Sequence, residues 1–402
     1  MSLQGKHILV GISGGIAAYK IPELIRQLRK AGAQVQVTTT KNALEFVTSL
    51  TLQTVSGNKV YSDVFAAINE HSTEHISLPD WADLMLIAPA TANLLCKMAH
   101  GIADDALTTT FAAMRKPVVI APAMNTNMYE SPATQKAIHQ LAQWNNITML
   151  DAASGELACG TSGKGRMQEI DVLLAAAEYA LTPKTLIGKH VLITAGPTHE
   201  AIDPVRYITN ASTGKMGYAL ARACLKRGAN VTLVTGPCQV SLHAWKEFTP
   251  LTIVPVQSAA EMCQEAMSAF ETADISILCA AVADFTPAHK AEQKIKKQIG
   301  QTSMSIDMTT TTDIAATLGQ QKRSNQQLIG FALETHDEML NAQRKLQSKN
   351  LDMIVLNSLQ DAGAGFGTET NKVTLIYANG TKKDLPLLSK QEVADYIIDQ
   401  II

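Results

Sequence analysis

The feature that most restricts the fold is a series of short apolar, β-branched runs, each followed by small residues and then by an amphipathic stretch. Residues His7–Ile12, Gln34–Thr39, 84–88 and 117–121 are such runs, too apolar for strands with one wet face. They suit the buried strands of a parallel sheet covered by helices on both faces. Helical patterns fall between them at 16–30, 103–114 and 132–143. The series then restarts: Gly188-Lys189-His190-Val191-Leu192-Ile193 echoes Gly5-Lys6-His7-Ile8-Leu9-Val10, and Arg227-Gly228-Ala229-Asn230-Val231 echoes Ala31-Gly32-Ala33-Gln34-Val35. Common descent and ordinary β-α-β grammar would both produce such echoes. Either way, two openings predict two Rossmann-like α/β domains, 1–182 and 189–402, each a mostly parallel sheet with helices on both faces. Residues 183–188 are the expected linker, where Pro183 disfavours helix at Thr182. The second domain should end on a hairpin, 372–377 and 383–385 around Asn379-Gly380, followed by a helix over 389–400.

Composition excludes several classes. With 34 Lys+Arg against 36 Asp+Glu, the net charge of −2 argues against a nucleic-acid binder. No apolar run approaches the roughly 18 residues of a membrane span. The opening residues lead into a strand without a signal peptide's apolar stretch. The six cysteines include no Cys-x-x-Cys pair, so neither a disulfide framework nor a zinc cage is expected. The expectation is a soluble, cytoplasmic protein.

In the first half, the strand 7–12 ends in Ser13-Gly14-Gly15, Thr38-Thr39-Thr40 closes the next strand, and Ala88-Pro89-Ala90-Thr91-Ala92-Asn93 the third. Hydroxyls, amides and small residues at strand carboxyl ends suit a phosphate ligand, although a tight turn reads equally well at Gly14-Gly15. The Gly-x-Gly-x-x-Gly spacing is absent. His75 lies in a predicted loop before the third strand. Pro122-Ala123-Met124-Asn125-Thr126-Asn127-Met128-Tyr129 follows the fourth and reads otherwise as a turn with two core Met. The glycine-rich stretch 155–167 carries Cys159 and Arg166. A thiol among glycines and cations can titrate, so the stretch reads as a lid.

In the second half, Ser212-Thr213-Gly214-Lys215-Met216-Gly217 imitates a P-loop but lacks its first Gly and the Ser/Thr after Gly-Lys. Small residues and Asp284 follow the strand 275–279, and Lys290, Lys294, Lys296 and Lys297 come next. That run is either a solvated face or, with Asp284, a place to gather Mg²⁺ and a polyphosphate. Gly330-Phe331 is expected to close another strand. Lys345 and Lys349 recur on one helix face.

Together the Ser-Gly-Gly turn, the His75 motif, the Pro-x-Met-Asn-x-x-Met-Tyr segment and the Cys159 stretch resemble the FMN-dependent cysteine decarboxylase family. The restart at Gly188 resembles the ligase half of the bacterial bifunctional phosphopantothenoylcysteine decarboxylase/phosphopantothenate–cysteine ligases, so the resemblance spans the chain. It implies a flavodoxin-like flavoprotein domain followed by a ligase domain. The ligase would couple 4′-phosphopantothenate to L-cysteine with CTP and Mg²⁺ through an acyl-cytidylate. The flavin half would then decarboxylate the product to 4′-phosphopantetheine, FMN oxidising the cysteine side chain to a thioaldehyde electron sink and returning hydride afterwards.

The resemblance assigns His75 as base or orienting group, Asn125 to the substrate carboxylate and Cys159 as proton donor, with Arg166 as an anion partner. Gly11, Ser13, Gly14, Thr40, Thr91, Ala92 and Asn93 would contact FMN. Asn210 would serve amide formation and Lys294 cytidylate formation. Asp284, Thr312, Asp313, Ile314, Ala315, Phe331, Lys345 and Lys349 would contact the nucleotide, Asp284 also reaching the metal. Tyr129 stands where some relatives carry Trp, and Thr312 where relatives often carry Pro. Trimers of one half and dimers of the other would build a dodecamer. A two-domain nicotinamide-type oxidoreductase is the competing reading.

Overall fold

The structure is a computed structural model, described here for residues 3–65, 73–156, 160, 162–297, 299, 301–358 and 367–402. The chain divides into two compact units, Met1–Pro183 and Lys184–Ile402.

The first unit is built on β1 (His7–Ile12), β2 (Gln34–Thr39), β3 (Val60–Tyr61), β4 (Leu84–Ala90), β5 (Val118–Pro122) and β6 (Ile147–Met149). All neighbours pair in parallel, in the order β3-β2-β1-β4-β5-β6. Without the two-residue edge strand β3, the remaining order is that of the flavodoxin type; with it, that of the dinucleotide-binding type. Both place the topological switch between β1 and β4. Leu9, Met85, Ile87, Val118 and Ile120 pack one sheet face onto Leu94, Leu95, Met98, Leu107 and Phe111 of the helices Ala92–Ala99 and Ala106–Ala113.

Two short strands escaped the sequence reading because β3 and β6 hold too few residues to show a period. A third departure follows from Pro22. The expected helix 16–30 is a 3₁₀ turn, Ile16–Lys20, and then an α-helix, Ile21–Lys30, with the proline in its first turn. A residue without an N–H can open a helix but not continue one. The stretch expected as a lid holds an antiparallel hairpin, β7 (Ala153–Glu156) with β8 (Ser162–Arg166). His75 lies not in a loop but in the first turn of the helix Glu74–Trp81. Of the two Met expected in the core, Met124 packs against it and Met128 is exposed.

The second unit repeats the plan. Its strands are β9 (His190–Ala195), β10 (His199–Ala201), β11 (Tyr207–Thr209), β12 (Asn230–Thr235), β13 (Leu251–Pro255), β14 (Ile275–Leu278), β15 (Phe285–Pro287), β16 (Met308–Thr310), β17 (Gln327–Glu334), β18 (Met353–Ser358), β19 (Thr370–Asn371), β20 (Val373–Tyr377), β21 (Lys382–Asp384) and β22 (Leu388–Ser389). The main sheet runs β13-β12-β9-β14-β17-β18-β20-β21, parallel up to β18 and antiparallel beyond it. The antiparallel edge is the expected Asn-Gly hairpin. The final helix, Lys390–Asp399, starts on a Ser389–Glu392 capping box.

Gly330 and Phe331 do not close β17 but lie in its middle, paired with Ile354 and Val355. A side chain at Gly330 would come within 2.7 Å of Leu351 Cδ1. The glycine there marks close packing, not a strand end.

Candidate functional site

In the first unit, three strand ends meet at the switch point. The buried Ser13 hydroxyl donates to Pro89 O at 2.7 Å and accepts from the Thr91 amide at 3.0 Å, tying β1 to β4. Thr91 in turn caps the helix Ala92–Ala99, so Thr91, Ala92 and Asn93 form its first turn. A side chain at Gly14 would strike Asn42, a cradle residue the sequence reading missed. Among the buried side-chain atoms without a partner are the hydroxyls of Thr38, Thr39 and Thr40. Buried polar groups are normally satisfied. Thr38 and Thr39, successive in β2, face opposite sides of the sheet. Thr40 lies just past the strand end, its amide bonded to Ile12 O, and its orphaned hydroxyl beside the β1 turn suits a polar ligand. Gly11 is placed differently: it is a buried residue of β1, and its missing side chain leaves room for Leu107.

Asn125 follows β5 and caps the short helix Thr126–Glu130, its side chain accepting from the Asn127 amide at 2.9 Å. The preceding Ala123 amide donates to Ala90 O, which brings this segment beside the end of β4. Arg166, on β8, pairs with Glu169 at 2.9 Å, and Glu169 also meets Lys20 at 3.3 Å. His75 is half-buried, and among the described residues no hydrogen bond joins it to Ser13 or Asn125. Cys159 lies outside the described residues.

In the second unit a cleft of about 580 Å³ opens at the carboxyl ends of β9, β14 and β17. It is lined by Asn210, Asp284, Thr312, Asp313, Ile314, Ala315, Phe331, Lys345 and Lys349, residues that the resemblance assigns to the ligase site. Asn210 is held by two bonds of 3.1 Å from Nδ2 to Ala281 O and Val282 O. Asp313 caps the helix Ile314–Gln321 and pairs with Lys349 at 2.9 Å. Burial alone would raise its carboxyl, but the Ala316 amide and Lys349 outweigh that and hold it below its ordinary value. Lys345 is 2.6 Å from Glu334.

Lys294 is not among the residues lining this cleft; it is exposed, beside an anchored neighbour. The Ile295 amide donates to Asp203 Oδ2 at 3.1 Å, and Ile295 O accepts from Arg206 at 2.8 Å. Arg206 and three backbone amides hold the buried Asp203 carboxyl far below the usual range.

The sequence reading named Ser212 and Lys215 only within an incomplete P-loop and passed over Asn357, Glu369, Asn371 and Lys390. Ser212, Lys215, Asn357, Asn371 and Lys390 line the cleft, and Lys215 pairs with Glu369. Asn357 Oδ1 is buried and has no partner among the described residues. The buried Lys390 ammonium, pushed down chiefly by desolvation, donates to Thr368 O at 2.5 Å. Among the described residues no three His, Cys, Asp or Glu side chains gather as a metal site. Cys279, also in the cleft, is pushed up to about 12 by burial and is no ready nucleophile.

Two family models match, "Flavoprotein" over residues 1–180 and "DNA/pantothenate metabolism flavoprotein C-terminal domain" over residues 186–402. The "Coenzyme A biosynthesis bifunctional protein CoaBC" of Vibrio vulnificus (strain CMCP6) is 48% identical over 402 residues, covering 100% of this chain and 98% of that protein. Its Bacillus subtilis (strain 168) counterpart is 47% identical, covering 99% and 97%. A crystal structure of the C-terminal domain of a protein of that name is 40% identical, covering 54% of this chain and 96% of that one at a TM-score of 0.44. Full-length relatives of this kind leave the nicotinamide-type oxidoreductase reading without support. No helix among the described residues is long and apolar enough to cross a membrane.

Proposed function

This chain belongs to the family of bifunctional coenzyme A biosynthesis proteins, with a flavoprotein decarboxylase half and a ligase half, and from that premise we propose how its own residues divide the work. The ligase half, 189–402, joins 4′-phosphopantothenate to L-cysteine at the expense of CTP. The decarboxylase half, 1–182, converts 4′-phosphopantothenoylcysteine to 4′-phosphopantetheine.

In the ligase half the observation that carries the reading is the convergence of Asn210, Asp284, Thr312–315, Phe331, Lys345 and Lys349 on one cleft at the switch point. Lys345 and Lys349 neutralise phosphate charge, and Asp284 shares Mg²⁺ with the phosphates. Lys294 acts from the segment anchored by Asp203 and Arg206, adding charge as the cytidylate forms. Asn210, fixed by its two carbonyl partners, orients the activated carboxyl for attack by the cysteine amine.

In the decarboxylase half Ser13, Gly14, Thr40, Thr91, Ala92 and Asn93 would hold FMN. When bound, FMN supplies a reversible two-electron acceptor for the cysteine moiety. Asn125 binds the substrate carboxylate, His75 orients or accepts a proton, and Cys159 returns one at the end. Arg166, paired with Glu169 here, is available to an anionic group only by giving up that partner. The halves assemble as a homo-oligomer of trimers and dimers.

Mass spectrometry after mixing the protein with 4′-phosphopantothenate, L-cysteine, CTP and Mg²⁺ tests both halves. The expected products are 4′-phosphopantetheine, CMP and pyrophosphate. Accumulation of 4′-phosphopantothenoylcysteine would remove the decarboxylase reading, and turnover with ATP but not CTP would remove the nucleotide assignment.

A further inference from the structure

Strand β8 is seated directly on the segment that carries Asn125. The Met124 amide donates to Gly165 O at 2.9 Å. A side chain at Gly165 would run into Met124 O, and one at Gly163 into the Thr126 side chain. Gly165 is thus required by close backbone approach, and Gly163 by the Thr126 side chain packed against it. Lys164, between them, reaches sideways: its ammonium is 3.0 Å from Asp151 Oδ2 and 5.5 Å from the centre of the Tyr129 ring. The Tyr129 hydroxyl donates to Asp151 Oδ1 at 3.2 Å. Tyr129 is itself buried in the helix that Asn125 caps. The three side chains therefore close a circuit from the hairpin, through Asp151 two residues before β7, to the Asn125 helix.

We propose that Tyr129, Asp151 and Lys164 form a latch holding β8 against the Asn125 segment, with Lys164 the positioning residue that sets how tightly the carboxylated cysteine substrate binds. The proposal rests on the decarboxylase reading of this half. Tyr129 takes part because its hydroxyl can reach Asp151 while its face receives the ammonium. A tryptophan there would keep the face and lose that hydroxyl.

The test uses the flavin-loaded full chain, with 4′-phosphopantothenoylcysteine supplied directly and CO₂ release followed. Lys164→Met and Asp151→Asn should each raise KM about threefold to fivefold, the scale of a half-exposed ion pair, while kcat stays within about twofold. The double variant should be no worse than either single change, because each already opens the circuit. Lys164→Arg should restore KM, and Tyr129→Phe, which removes only the hydroxyl, should raise it less than Lys164→Met. The flavin absorbance spectrum reports that each variant is folded and loaded. Wild-type KM in both single variants, additive effects in the double variant, or an Arg variant no better than Met would overturn the latch. Wild-type protein that retains flavin but releases no CO₂ would overturn the decarboxylase reading and the latch with it.

Discussion

The Ser13 hydroxyl has two jobs at once, giving its proton to Pro89 O and receiving one from the Thr91 amide. Ser13→Ala leaves the half-buried Thr91 amide without its acceptor, while Pro89 O keeps the backbone amide of residue 13, at a cost of about 1 kcal/mol. Denaturant unfolding should register that loss, and flavin absorbance of the purified protein should fall with it. An unchanged flavin content would detach Ser13 from the cofactor. Asp203 makes a different prediction, on pH. Its folded-state carboxyl is held low by Arg206 and backbone amides, so its stabilisation is complete above the ordinary carboxylate range near 4. Below that range the unfolded chain takes up the proton first, and the contribution disappears as pH falls. Thermal melts from pH 6 to pH 3 should therefore drop more steeply for the wild type than for Asp203→Asn. At this scale residue type told much about the ligand class. It told nothing of Asn42, Asp203 or Lys390, whose importance comes from what the fold brings against them.

Elements were legible where burial imposed a period. β1, β2, β9 and the final helix run where the sequence pattern placed them: β1 and β9 are apolar because both faces are covered, and β2 keeps its Val residues buried while Gln34 is exposed. The hairpin β7–β8 gave no such signal. It is made of Ala, Ser, Gly, Glu, Lys and Arg, residues with little strand preference, and is shaped by the Met124–Thr126 segment it lies on. Helix ends carry their own chemistry. Lys226 and Arg227, both nearly buried, follow the helix Lys215–Leu225 and reach Asp395 on the final helix at 2.6 and 3.0 Å. Asp395→Ala would leave two cations short of a partner, for a loss of about 3–5 kcal/mol. A shift of the unfolding midpoint in urea measures it. Retained stability would mean that Asp399, 2.6 Å from Arg227, carries the helix pairing alone.

At the scale of the whole molecule, two units of the same topology carry two chemistries, and each can be silenced separately. Asn210→Asp should stall amide formation and accumulate the acyl-cytidylate, yet still decarboxylate 4′-phosphopantothenoylcysteine supplied from outside. Cys159→Ser should do the reverse, accumulating the unreduced enethiol while ligation proceeds. Product analysis by mass spectrometry separates the two, and amide formed at the wild-type rate by Asn210→Asp would remove that residue from the mechanism. The sequence by itself determined that there are two α/β units, where the chain restarts, and which strand ends carry hydroxyls, amides, carboxylates and lysines. Those follow from local grammar, because buried strands and ligand-facing turns restrict residue type position by position. Only the tertiary structure decided that Gly11 packs beneath Leu107 and Gly330 beneath Leu351, that Lys294 is exposed beside the segment bonded to Asp203 and Arg206, and that Lys164 meets Tyr129 and Asp151. Each of these depends on atoms far apart in the chain, and distance between non-neighbours is a property of the packed fold and not of any stretch of sequence.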